Sequence, residues 1–252
     1  MEQIRKPFQG VLNIIRFNWH LYVLAFVFIL FLVLIGDHFD KDLKSFFSIV
    51  CILISLSIII SLLVSLYIYD LSGLYDLKWI GNQGNEKVIL NINAGFDETS
   101  DLLKEKFYNS ELIVLDFFDP IKHTEISIKR ARKAYPPYPG TKQIVTTHLK
   151  IDNNSADNIF LILAAHEIRN ENERIDFFKE LNRIIKPTGQ IYVTEHLRDV
   201  TNFIAYNIGF LHFYSKKSWL HTFAKANLFV KNEIKQTPFV STFILYKNGN
   251  TL

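Results

Sequence analysis

The chain has 252 residues, 49% of them apolar, with 22 Phe, a single Cys and a formal charge of +3. That length holds one good-sized domain plus an appendage. The mild positive balance gives no ground for a nucleic-acid partner, which calls for a denser basic face, and suits a membrane surface. The lone Cys51 excludes an internal disulfide framework and a cysteine-based zinc site.

Apolar residues crowd toward the N-terminus. Phe17 to Ile35 carries no formal charge, only Asn18 and His20 near its start, and Phe46 to Tyr69 carries none. A hydrocarbon core of ~30 Å needs about 20 helical residues, so both runs are predicted to span a membrane. Trp19, Tyr22, Tyr67 and Tyr69 fall near the ends, where aromatic rings favour the headgroup zone. A second span follows the first with no small-residue cleavage site between them, which argues against a secretory signal. The short link predicts an antiparallel hairpin with both ends on one side. Arg5, Lys6 and Arg16 against Lys41 and Lys44 make that side cytoplasmic. Ser57, Ser61 and Ser65 share a face that invites close packing on the first helix or on a second copy. The expected organisation is a terminal segment (1–16), a membrane unit (17–72, with helices 17–35 and 46–69), a linker (73–86) and a domain (87–252).

From Lys87 on, short apolar runs alternate with helical patterns. Strands are predicted at Lys87–Asn91, Leu112–Phe118, Lys142–His148, Asn158–His166 and Gln190–His196. Helices are predicted at 98–107, 123–135, 170–185 and 215–228. Two further strands, 229–236 and 238–247, close the chain as a pair. The expected fold is α/β: a Rossmann-like open sheet with a terminal antiparallel strand pair, preceded by the two-helix hairpin. In such sheets ligands sit beyond the carboxyl ends of the strands. Attention therefore goes to Asn91–Asp97, Asp116–Asp119, Ala164–Arg169 and Glu195–Asp199.

Four stretches carry a resemblance: "VILNINAGFDE", "LIVLDFF", "LKIDNNSADNIFLILAAHEI" and "FFKELNRIIKPTGQIYVTEH". Together they resemble a class I S-adenosylmethionine-dependent methyltransferase of the type 11 kind, over roughly Lys87 to Lys247. The resemblance implies S-adenosylmethionine as cofactor, bound by Asn91, Asn93, Ala94, Gly95, Asp116, Phe117, Thr147, His148 and Ala164. Against the family's Asp/Glu-x-Gly-x-Gly-x-Gly, Asn91 stands for the acid, and Asn93, Gly95 and Asp97 for the three glycines. Only the middle glycine is kept. Asn93 is the next best residue for a left-handed backbone. Asp116, ending an apolar strand, suits two ribose hydroxyls, and Phe117 or Phe118 suits an adenine face.

Methyl transfer from a sulfonium needs alignment, and a base only if the acceptor must lose a proton. His166, Glu167, Glu195, His196 and Arg198 lie at two predicted strand ends. Either His suits a base, either Glu suits orienting it, and Arg198 suits an anionic head group. No metal is expected, since "HEIRN" lacks the second His of a His-Glu-x-x-His helix. The aromatic segment 202–219 and the basic helix holding Lys129, Arg130, Arg132 and Lys133 suit a bilayer surface or, equally, a packed lid and a solvated face.

The expected activity is methylation of a hydrophobic or lipid-linked acceptor at the cytoplasmic membrane surface, by a two-span membrane enzyme that touches the bilayer and self-associates through its helices. The competing expectations are a scaffold that keeps the fold without turnover, and a nucleotide-sugar or dinucleotide enzyme on the same sheet.

Overall fold

The computed structural model describes residues 5–81, 84 and 86–247. Helix α1 runs Gln9–Gly36 and α2 runs Lys41–Leu66. Both are long and apolar enough to cross a membrane. Their apolar side chains point outward: Phe26 is 66% exposed and Ile52 64%. Helix α2 starts earlier than the apolar run because the Asp40 carboxylate accepts from the amides of Asp42 and Leu43, an N-cap. A π-helical turn, Tyr67–Leu71, and a 3-10 turn, Leu74–Asp76, follow it.

Helix α1 also starts before its apolar run, and it has two parts. Asn18 is non-helical (φ −113°, ψ 16°), and its side chain donates to the Ile14 carbonyl. The Phe17 carbonyl at this kink accepts from Arg130 at 2.7 Å. Before the kink the buried residues are Gly10, Asn13 and Phe17, one stripe turned toward the soluble domain. Asp70 caps this first part, accepting from the amides of Gly10 and Val11 at 2.8 Å each. A Cβ on Gly10 would lie 2.3 Å from Tyr69 Cβ, so only glycine allows this crossing. Residues 9–16, expected to be a plain terminal segment, are thus a docked helix.

The remaining elements are β1 (Val88–Asn93), α3 (Ser100–Lys106), β2 (Glu111–Asp116), α4 (Ile126–Ala134), β3 (Lys142–Gln143), β4 (Ala156–Ile162), α5 (Glu171–Ile184), β5 (Ile185–His196), α6 (Val200–Tyr206), α7 (Lys216–Lys225), β6 (Leu228–Thr237) and β7 (Val240–Lys247). They form one seven-stranded sheet in the order β3-β2-β1-β4-β5-β7-β6. Strand β7 is antiparallel to both β5 and β6, and the others pair in parallel. The expected Rossmann-like sheet with a terminal antiparallel pair is therefore what the chain forms.

Three expectations shift. Strand β3 has two residues rather than seven, because the chain folds back in a Val145–His148 bridge. The segment after β5 contains a helix, α6, started by the Asp199 carboxylate accepting from the Asn202 amide. The linker is not loose: Leu77 and Ile80 are buried against Ile89, Phe160 and Tyr192. Burying each is worth about 2 kcal/mol, so the hairpin is docked to the sheet rather than tethered. On the other face, Phe177, Phe178, Trp219 and Phe223 from α5 and α7 cover Ile159, Ile191 and Phe243.

The serine face of α2 is covered from within the chain. Ser65 is buried, and Ser57 accepts a hydrogen bond from Asn207 at 2.7 Å, just after α6. That contact takes part of the surface expected to meet a second copy.

Candidate active site

Parallel β1, β4 and β5 end at one rim, and a cavity of about 260 Å³ opens above them. Its floor holds Asn91, Asn93, Ala94, Leu163, His166 and His196. Its roof is the first part of α1 (Gly10, Asn13, Ile14, Phe17), and Tyr69 and Tyr75 also line it. Glu98 ties roof to rim. Its carboxylate accepts from Arg5 (3.1 Å), Gln9 (2.9 Å), Asn13 (3.3 Å) and Tyr75 (3.2 Å). None of these roof residues was expected at a ligand site, Arg5 and Tyr69 having been read only as membrane-boundary residues, because nothing local marks a helix start as a pocket wall.

The loop after β1 answers the question of its missing glycines. Only Gly95 has positive φ (+92°), so only there is glycine required. Asn93 is not left-handed; it ends β1, and its side-chain oxygen accepts from the Gly95 amide at 3.1 Å. The Asn91 amide turns inward and donates to Thr99 and Ser100 at 2.9 and 2.8 Å. Asp97 accepts from the amides of Thr99 and Ser100, starting α3. Asn91 and Asp97 therefore hold the loop's shape by side chains where glycines would hold it by backbone freedom. Asp97 Oδ2 stays buried without a hydrogen-bond partner among the described residues, an acceptor suited to a cofactor's ammonium group.

Asp116 ends β2 directly beside Asn93 in the parallel register. Its Oδ1 accepts from the Phe118 amide at 2.8 Å, and its Oδ2 is held by Arg132 of α4 at 2.5 Å. The Arg132 guanidinium lies over the Phe118 ring, 4.3 Å from its centroid, and within 2.9 Å of where a Gly95 Cβ would stand. Carboxylate and turn are thus adjacent, as expected, but an arginine of the same chain sits between them. Phe117 and Phe118 both border a second cavity of about 610 Å³, with Ile144, Thr146 and Thr147 on its wall; the Phe117 ring is the more buried of the two and packs against Phe177, so Phe118 presents the more open face. His148 is exposed and lies 3.9 Å from Glu180, outside that wall. Ala164 is buried just after β4, behind Leu163, whose φ of +54° turns the chain sharply.

That turn brings the two predicted clusters together. The fully buried Glu195 accepts from His166 twice, from its backbone amide at 3.1 Å and from Nδ1 at 2.6 Å. Glu167 Oε1 lies 3.4 Å from His166 Nε2. Burial opposes the charged form of His166, but Glu195 and Glu167 outweigh it and push the imidazole up to about 10. His166 is therefore protonated here, the opposite of a ready base. Burial also raises the Glu167 carboxyl, and the His166 and His212 hydrogen bonds overcome it, leaving it well below the usual range. His196 is different. Burial, then the His166 charge, lower it to about 4, so it is neutral. Its Nδ1 faces the Asn202 side-chain oxygen (3.2 Å) and the Phe239 carbonyl (3.1 Å), which places the proton there. Its Nε2 then accepts from the Tyr69 hydroxyl at 2.8 Å. Arg198 does not face the cavity; it donates to the carbonyls of Phe213 and Leu211 and straps the segment after α6.

No metal was expected, yet the fold gathers side chains that could hold one. His212, in the 3-10 turn Asn207–His212, joins His166 and Glu167 so that three ligand atoms lie within 4.8 Å of one another. The local spacing of "HEIRN" has no place for a histidine that the fold brings back from beyond α6.

Residues 90–193 match a family described as a methyltransferase domain. Among curated proteins, none matches the chain. Solved structures that resemble it include a SAM-dependent methyltransferase from Aquifex aeolicus (13% identity, 63% of this chain and 81% of that one, TM-score 0.47). A protein from Pyrococcus horikoshii is similar (14%, 66% and 84%, 0.49), as is a SAM-dependent methyltransferase from Leishmania major (13%, 69% and 70%, 0.47). The matched residues and the sheet order together support a SAM-dependent methyltransferase, with S-adenosylmethionine as cofactor.

Proposed function

We propose that the protein is a membrane-anchored methyltransferase that modifies a hydrophobic or lipid-linked acceptor at the cytoplasmic membrane surface. One observation carries this reading: the cavity at the strand ends is roofed by the opening turns of the same helix that is long and apolar enough to cross a bilayer. A lipid-phase acceptor would then meet the site without leaving the membrane boundary, and anchoring raises its effective concentration.

Other features agree. The outward apolar faces of both helices suit hydrocarbon. On the segment beside α2, Val200, Ile204, Ile208 and Leu211 are exposed, which suits the headgroup boundary. Arg16, Arg130 and Lys133 surround a groove with Trp19 where α1 meets α4, a setting for anionic lipid. S-adenosylmethionine brings its own leaving group. Asp116 would hold its ribose once Arg132 swings aside, with Phe118 beside the adenine and the Gly95 turn and Asp97 at the amino-acid end. Where the acceptor must lose a proton, neutral His196 takes it through Tyr69.

A second reading, the same fold as a scaffold without turnover, takes support from Arg132 in the seat of Asp116. One experiment separates them. Membranes holding the full chain, or its Asp116→Ala variant, are incubated with a methyl-labelled donor and extracted. Label entering the lipid fraction only with the unaltered chain supports the enzyme. Label absent from lipid, and unchanged by Asp116→Ala, overturns the acceptor proposed here.

A further inference from the structure

The side of the cavity formed by β4, β5 and the 3-10 turn after α6 gathers more chemistry than methyl transfer uses. His166 Nε2 lies 3.4 Å from Glu167 Oε1, and His212 Nε2 lies 3.6 Å from the same oxygen. A tetrahedral ion with bonds of roughly 2.0 Å sets its ligand atoms roughly 3.3 Å apart. Two edges of such a polyhedron are therefore nearly in place, and all three atoms fall within 4.8 Å.

The outer nitrogens are arranged as well. His166 Nδ1 faces Glu195 at 2.6 Å, and His212 Nδ1 faces Glu125 at 3.1 Å. Each ring is thus turned by a carboxylate on its far nitrogen, leaving Nε2 toward Glu167. That is the arrangement that orients metal-ligating histidines. Chance ion pairing explains one such ring more easily than two converging on a single oxygen.

Formal charge points the same way. Glu125, Glu167 and Glu195 bring three negative charges. Arg169, whose Nη2 is 3.8 Å from Glu125 and whose Nη1 donates to the His212 carbonyl, brings one positive charge. Ligation requires both rings neutral, so the ion would displace the proton that His166 carries in its absence, and the two negative charges that then remain match a divalent ion. Arg169 also lies against the His212 ring, so it must move off that ring for the ion to bind.

We infer that His166, Glu167 and His212 form a site for a borderline divalent cation such as Zn²⁺, with Glu195 and Glu125 as positioning residues. Two imidazoles and one carboxylate are donors that such ions favour over Mg²⁺ or Ca²⁺. Three protein ligands leave a coordination position free. His166 and Glu167 line the cavity assigned above to the acceptor, so that position opens on it. Given that reading, the acceptor atom would be an oxygen, since a bound cation polarises a hydroxyl toward its nucleophilic form.

The test reads metal rather than methylation, so it stands or falls apart from the proposed acceptor. The full chain in detergent, freed of metal with a chelator, is titrated with Co²⁺ and with Zn²⁺ against a competing dye. One equivalent is expected, with the visible bands of a four-coordinate Co²⁺ ion. His212→Gln and Glu167→Gln should weaken Zn²⁺ at least 100-fold, and Glu195→Gln about 10- to 100-fold with the Co²⁺ bands shifted. His221→Ala, an exposed ring paired with Glu171 elsewhere, should bind as the unaltered chain does. Circular dichroism confirms that His212→Gln, on a surface turn, stays folded. Failure to bind one equivalent, or equal affinity in the His212→Gln and His221→Ala chains, overturns the site.

Discussion

The two halves of the pocket are held by different forces. On the β1–β2 side, Asp116 is met by an arginine that is partly exposed and reaches in from another helix. On the β4–β5 side, Glu195 is fully buried and His166 nearly so, with Glu167 on the other side of the imidazole ring. Arg132 is partly exposed on a flexible stem and can swing to solvent where ligand hydroxyls take over the buried Asp116, whereas the second pair has no such replacement and cannot separate without stranding a charge. The first half is built to open for a ligand, and the second to stay assembled.

The sharpest way to break this comparison is Glu195→Ala. It leaves His166 buried beside a lost partner and should lower stability by about 3–5 kcal/mol, read by chemical denaturation of the full chain in detergent. A loss under about 1 kcal/mol would mean that this half is no more rigid than the other. Next, Asp116→Ala should weaken S-adenosylhomocysteine about 10- to 100-fold, the worth of hydrogen bonds to a charged group, measured by calorimetry. Arg132→Met should act in the opposite direction and tighten the same ligand by up to about tenfold, because the seat no longer has to be vacated. Unchanged affinity would mean that Arg132 does not guard it. Asp70→Asn removes a charged cap from the roof helix and should cost about 1 kcal/mol, with donor affinity nearly unaltered.

The gentlest probe is pH, because near pH 6.5 neither histidine term is lost. His166 has a folded value near 10 against an ordinary 6.5. In the chain freed of metal, its contribution is full below 6.5 and is lost as pH climbs toward 10. His196 has a folded value near 4. Its contribution is full above 6.5 and is lost as pH falls toward 4. A stability profile with shoulders on both sides is expected. The alkaline shoulder should vanish in His166→Gln, and the acid shoulder should shrink in His196→Gln.

Much of this was legible in the chain because it is local. Apolar runs set the two long helices, alternation set the parallel strands, and the pair Leu228–Thr237 and Val240–Lys247 followed from two adjacent runs with no helix between. Asp116 was legible because a strand end needs no partner to be placed. The meeting of His166 with Glu195 followed once β4 and β5 were neighbours. Less visible was β3, whose apolar letters fold back on themselves, and α6, whose aromatic sequence reads as loop.

What the sequence determined by itself was the class of fold and which strand ends face a ligand, since both follow from periodicity and short-range order. Only the tertiary structure decided that the start of α1 roofs the pocket, that Arg132 holds Asp116, and that His212 comes back to His166. Those contacts join residues far apart in the chain. Such pairings are set by how helices and sheet pack over one another, and no local pattern of side chains encodes them.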